Sequence, residues 1–409
     1  MTTRRTVVLI AVAVVIAAVV AAAVIVDWRF WYRWYTLPED PGEWPASYYQ
    51  PVVELPGDPQ AFFPTAAADE LSISSAALET AAAWADEHNS AALIVLHQGV
   101  VQLERYWRDI GPDSLFTGRA MTRSLLPPLV AIAMQEGAIQ GLDDSVDRYL
   151  PEWRNDPRGR ITLRQLLHNV SGLENPLLAG DPNPLSKNAQ LSLSSDFHAA
   201  ALAFELENPP GEFFALSNAN AQLLGSVLEA ATGEAYEDYL NSRLWAPLGA
   251  GKSELYMDRP GGMPAVYCCY RATPRDWLRY GAALAADGRV GDRQLWPPGW
   301  VKEMTTGSAV YANYGYQIWV GNPPTSNRLY NQAISQGTPH GPPIEAAEVF
   351  FLEGGGYRTL YVMPELELVI LRLGYFHPDW QTSTLPNLVL AGLQDVAEDP
   401  AAAVDALQD

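Results

Sequence analysis

The chain has 409 residues, 48% of them apolar and 13 of them Trp, which is enough for a large core. Its 47 acidic residues face 26 basic ones, only three of them Lys, for a formal net charge of −21. So acidic a surface repels phosphate backbones, and without a basic stripe anywhere it argues against a nucleic-acid partner.

Residues 6–26, TVVLIAVAVVIAAVVAAAVIV, carry no charge over 21 positions, the length that crosses about 30 Å of hydrocarbon as a helix. The apolar core of a cleaved signal covers only about 7–15 residues, so the run reads as one retained transmembrane anchor behind a cytoplasmic tip, residues 1–5. Arg4 and Arg5 precede the run and Arg29 and Arg33 follow it, so charge bias barely sets its orientation. Residues 27–35, DWRFWYRWY, place six aromatics and two arginines directly beyond it, a composition suited to the headgroup level of a bilayer. Residues 36–70 are rich in Pro, Gly and acidic side chains without helical or strand period. Residues 27–70 are therefore expected to form an aromatic collar and strap, a contact surface for a membrane-protein partner.

Periodic structure begins at Ser74. Ser74 or Ser75 is expected to cap a helix through about Glu87, with Leu78, Ala81, Ala82 and Ala85 on one face. Ala92–Leu96 and Val100–Tyr106, joined at Gln98-Gly99, read as a hairpin. Residues of about 120–260 are mainly helical in pattern, and strand-like runs return at 347–353, 358–363 and 367–373. The expected fold class is α+β: an antiparallel sheet flanked by helices, plus a mainly helical lobe, in one domain over residues 71–395. Residues 396–409 follow as an acidic tail.

Inside Phe116–Gly141, FTGRAMTRSLLPPLVAIAMQEGAIQG, Pro127 and Pro128 remove two backbone donors, so the helix is expected to break near Leu126 and restart at Pro127. On that expectation the 120–123 turn is no longer constrained to present a nucleophile. The neighbours Cys268 and Cys269 lack metal-ligand spacing and would close a strained ring if bonded to each other, so they read as two small buried residues. The six histidines, at 88, 97, 168, 198, 340 and 377, stand singly and give no support for a metal site.

The stretch 116–141 is followed in order by Ile161–Leu167 with Ser171-Gly172-Leu173, by Pro210-Gly211-Glu212 and Leu216-Ser217-Asn218, by Tyr267-Cys268-Cys269 with Ala272–Asp276, and by Glu353–Gly374. Taken together this series, over roughly residues 70–395, resembles the serine beta-lactamase and penicillin-binding-protein family in its class C, esterase and 6-aminohexanoate-oligomer hydrolase branch. The resemblance implies a cleft between the sheet and the helical lobe. It also implies work outside the cytoplasm, placing the domain on the periplasmic side of a bacterial inner membrane with a single N-terminal span. No cofactor is implied, and the small-molecule or peptide ligand is unspecified.

The motifs that carry the family's chemistry are altered. Its Ser-x-x-Lys falls on Ala120-Met121-Thr122-Arg123: Ala120 offers no nucleophile, and Arg123 holds its proton far above neutral pH. The tyrosine of Tyr-x-Asn falls on Leu216, with Ser217 and Asn218 retained, and the basic or histidine position of the third motif falls at Glu353 or Gly354. Tyr357 and Arg358 point into the cleft if the strand alternates, and equally read as surface residues if it lies at the sheet edge. No Ser-x-x-Lys or Gly-x-Ser-x-Gly occurs elsewhere in the chain. The leading expectation is therefore a catalytically inactive, membrane-anchored protein whose cleft binds through Arg123, Ser217, Asn218, Glu353, Tyr357 and Arg358, or which serves as an accessory subunit of a membrane assembly. The alternative is a hydrolase of esters, amides or muropeptides working through other residues.

Overall fold

The structure is a computed structural model that describes residues 9–15, 18, 27–38, 44–175, 183–332 and 335–398. The uncharged run 6–26 falls mostly outside these residues, as do the tip 1–5 and most of the tail 396–409. Among the described residues no helix is long and apolar enough to cross a membrane.

Alternating apolar residues build the central sheet. Its six antiparallel strands lie in the order Val100–Tyr106, Ser90–His97, Leu368–Gly374, Arg358–Met363, Phe350–Gly354 and Trp319–Val320. Along Ser90–His97, Leu93 and Val95 point to one face and Ile94 and Leu96 to the other, and all four are buried. A strand covered on both faces must read as a continuous apolar run, and this one does. Gln98 and Gly99 both take positive φ, the backbone of a two-residue hairpin turn. The Leu93 face is covered by the helices Ser75–Glu87 and Thr384–Glu398, and the opposite face by Pro274–Ala285 and the helical lobe. Leu78, Ala81, Ala82 and Ala85 form the buried stripe of the first helix; Ser74 is its N-cap residue, although its side chain makes no capping hydrogen bond.

The chain N-terminal to the domain is built into it. Residues 28–35 form a helix capped by Asp27, which also accepts from the Ser195 amide. Phe30 packs on Ala189 and Leu193 of the lobe. Arg33 donates to five main-chain carbonyls, those of Gln50, Leu193, Ser194, Met257 and Asp258, at 2.7–3.3 Å. Part of the aromatic collar thus packs against the domain, and within residues 27–35 only Trp28, Tyr32 and Tyr35 are exposed. Val52–Leu55 then pairs antiparallel with Ser253–Tyr256 in a second sheet of four strands, completed by Arg271–Ala272 and Phe116–Thr117. Further on, Pro64 and Ala66 bond Val101 at the edge of the central sheet.

Candidate functional site: a roofed cavity

The short strand Phe116–Thr117 leads through Gly118 into a 3₁₀ turn, Arg119–Leu125, and an α-helix over Leu126–Gln135. The break forced by the two prolines falls one residue earlier than expected, with Pro127 and Pro128 in the first helical turn, where their missing donors cost least. The turn before it is fixed by hydrogen bonds to neighbouring segments. Gly118 N donates to Tyr270 O at 2.9 Å, Cys269 N to Arg119 O at 3.2 Å and Tyr270 N to Thr122 Oγ1 at 3.0 Å. The Thr122 hydroxyl donates back to Arg119 O at 2.6 Å. Strand Phe350–Gly354 closes on the same turn: a Cβ at Gly354 would collide with the Gly118 carbonyl and stand 3.1 Å from Ala120 N, so only glycine allows this approach.

Cys268 and Cys269, expected as separate thiols, are joined in a disulfide, with Cys269 in the left-handed region at φ 77°. Their ring forms part of the cavity wall.

The second motif closes another side. Ser217 is the N-cap residue of the helix Asn218–Thr232, although its hydroxyl makes no capping hydrogen bond, and a buried network holds its start: Asn169 Oδ1 accepts from Ser217 N at 3.0 Å and Asn220 Nδ2 at 2.9 Å, while Ser171 Oγ donates to Asn220 Oδ1 at 2.7 Å. Ser171-Gly172 is therefore structural: Gly172 takes φ 76° and presses on Asn208 O, leaving no room for a Cβ. Leu216 lines the cavity with its amide on Tyr330 O at 2.8 Å, while the Ser217 hydroxyl is buried outside the lining.

These walls enclose about 520 Å³ beside Ala120. The strap supplies a roof, Leu37, Trp44, Tyr48 and Tyr49, and the Arg119 guanidinium lies 5.2 Å from the Trp44 ring and 5.7 Å from that of Tyr49. Arg123, only 5% exposed, donates from Nη2 to Asn218 Oδ1 at 2.9 Å, and its Nε and Nη1 have no hydrogen-bond partner among the described residues. Glu353 faces the cavity but carries a counter-ion: Arg328 Nη2 reaches its two oxygens at 2.9 and 2.8 Å, and the Thr382 hydroxyl donates to it at 3.4 Å. Tyr357 is in the wall. Arg358 is not: its guanidinium lies beneath, 4.9 Å from the Phe116 ring, with Nη1 on Gly355 O at 2.6 Å, and burial together with nearby Arg119 pushes its pKa down to about 9. The residue after the turn, rather than strand alternation, sets its direction.

Among the described residues the wall contains no histidine and no lysine, and the carboxylate of Glu353 is engaged by Arg328. Burial pushes the Tyr267 and Tyr314 phenols up to about 12, so neither is an anion near neutral pH. Among the described residues there is also no cluster of His, Cys, Asp and Glu able to hold a metal ion.

The beta-lactamase family model matches residues 76–374. Protein flp of Staphylococcus aureus strain COL is 27% identical over 169 residues, 39% of this chain and 33% of that protein. A D-aminopeptidase of Brucella anthropi is 28% identical over 181 residues, 40% of this chain and 32% of that one. The chain thus spans about a third of the length of these curated relatives. Among solved structures, a putative 6-aminohexanoate-dimer hydrolase from Bacillus anthracis superposes with a TM-score of 0.64 at 18% identity, covering 88% of this chain and 92% of that one. A class C beta-lactamase from Rhodobacter sphaeroides gives 0.57 at 17% identity, covering 80% of this chain and 100% of that one.

Proposed function

This chain belongs to the beta-lactamase family, and from that premise we propose that it is a non-catalytic member, anchored by residues 6–26 to the periplasmic face of a bacterial inner membrane, whose cleft binds a ligand. The observation that carries this reading is the cavity wall itself, in which Ala120 stands at the nucleophile position and no free base lies within it. Acyl transfer needs a nucleophile and an acceptor for its proton within hydrogen-bond reach; the wall's Ser124 and Ser192 lie outside the family's nucleophile position, and among the described lining residues no free base stands beside them. Anchoring is supported by the uncharged run and by the exposed aromatics Trp28, Tyr32 and Tyr35, which recur on one face of the docked helix just beyond it. A role as accessory subunit of a membrane assembly would use that same face.

The second reading is hydrolysis, and what favours it is the intact floor of the cleft, where Gly354 and the 118–122 turn stay locked together. Incubation with penicillin-type and fluorophosphonate probes, read by intact mass, separates the two. We expect no adduct. Stoichiometric labelling of any serine would overturn the non-catalytic reading. Carbonate washing of native membranes tests the anchor, since release of a soluble form beginning near Val24 would replace it with a cleaved signal.

A further inference from the structure

Among the described residues three charged side chains line the cavity, Arg119, Arg123 and Glu353. The charge of Glu353 is balanced by Arg328, and Arg119 lies against the roof rings. Arg123 has neither a carboxylate nor a ring partner. It is 95% buried, the acceptors beside it are the neutral amide oxygen of Asn218 and the neutral Tyr314 hydroxyl, and no carboxylate answers its charge. A guanidinium held this way is stabilised by any anion brought against it, because charge-assisted hydrogen bonds then replace unmet donors in a medium of low dielectric.

The remaining wall fixes the rest of the ligand. Trp44, Tyr49, Tyr267, Tyr357 and the Cys268–Cys269 ring offer flat, weakly polar surfaces, and a volume of about 520 Å³ suits a small molecule rather than a folded partner. A second anionic group would find only Arg119, already covered by Trp44. A cationic ligand would meet Arg123 unopposed.

We infer that the cavity is a binding site for a monoanionic amphiphile, its carboxylate seated on Arg123 and its apolar body held beneath Trp44 and Tyr49. This rests on the non-catalytic reading and names the ligand class of the same site. Arg123, standing where the family keeps a proton acceptor, becomes an anion anchor, and the strap becomes the lid over the apolar end.

Three probes of one skeleton test it on the full chain in nanodiscs of zwitterionic lipid: 4-phenylbutyrate, 4-phenylbutan-1-ol and 4-phenylbutylamine, followed by calorimetry and tryptophan fluorescence. The acid should bind about tenfold more tightly than the alcohol, the size of one charge-assisted contact, and the amine should not bind. Arg123→Gln should bring acid and alcohol level, Arg123→Lys should restore part of the preference, and Trp44→Ala should weaken both by a similar factor. An acid that binds wild type no better than the alcohol, or a preference that survives Arg123→Gln, overturns the assignment. Should Arg123→Gln fail to fold, the wild-type series and Trp44→Ala still decide. A covalent adduct with the acylating probes alongside an intact acid preference would sink the non-catalytic reading and leave the ligand class standing.

Discussion

The Glu353 wall and the Ala120 floor of the cavity each rest on a buried arginine, and their surroundings differ in one respect. Arg328, 1% exposed, has its counter-charge in Glu353, with the Trp319 and Phe351 rings 4.8 and 5.1 Å from its guanidinium carbon. Arg123, 5% exposed, has an amide oxygen and no carboxylate. The first arrangement is complete within the chain and holds strand Phe350–Gly354 to residues 327–331. The second is complete only with something added. A buried charge with its partner in the fold belongs to the architecture, whereas one without it marks where the architecture stops and a ligand begins.

The comparison breaks most visibly at Arg328. Arg328→Met leaves Glu353 as an uncompensated buried charge, and we expect a loss of about 3–5 kcal/mol, read as a lower melting temperature and partly recovered by adding Glu353→Gln. Equal stability of the single and double variants would show that the two charges do not depend on each other.

His340 sharpens the same corner through pH. Burial, reinforced by the Arg328 charge, pushes its pKa down to about 4, and the ring stacks on Phe351 at 5.8 Å. Between about 4 and the ordinary 6.5 the unfolded chain binds a proton at this position and the folded chain does not. The stability present above 6.5 is therefore lost as pH falls through that window, by up to about 3 kcal/mol. Against His340→Asn, wild type should lose its advantage steadily from pH 7 to pH 4. A constant difference would mean that the ring titrates in the ordinary way.

Arg123→Gln should be milder, about 1 kcal/mol or less, because no counter-charge is orphaned and only Asn218 loses a neutral contact. A cost like that of Arg328→Met would assign Arg123 to the architecture instead. The smallest effect concerns turnover. Ala120→Ser with Arg123→Lys rebuilds the family tetrad on a turn already fixed by Cys269 and Tyr270, yet Leu216 still brings no hydroxyl. We expect no more than traces of p-nitrophenyl ester hydrolysis, and rates ordinary for an esterase would show that the floor remains assembled for chemistry.

What could be read in the sequence follows the range of the forces involved. The hairpin at Gln98-Gly99, the stripe Leu78–Ala85 and the break before Pro127 come from local backbone limits and short periods, and they stand in the chain as written. The missing nucleophile was equally plain, since Ala120 can be read from one position. The Cys268–Cys269 bond was not, because spacing weighs ring strain without showing that residue 269 adopts φ 77°. The pairing of Arg328 with Glu353 joins strands with no periodic signal between them. Arg358 was misdirected because the turn at Gly355-Gly356-Tyr357, with Tyr357 itself at positive φ, resets which face the next residue meets. The strap's role as roof had only composition to announce it.

The grip of Arg33 has a mechanical meaning. A pull on the chain at residue 27 passes into the five carbonyls held by that guanidinium. These acceptors lie on three separated segments, near residues 50, 193–194 and 257–258, so the load divides between the lobe and the edge of the second sheet. Because Gln50 is one of these acceptors and the Tyr48 hydroxyl donates to Arg33 O at 3.5 Å, the roof shares that load with the lobe and the second sheet.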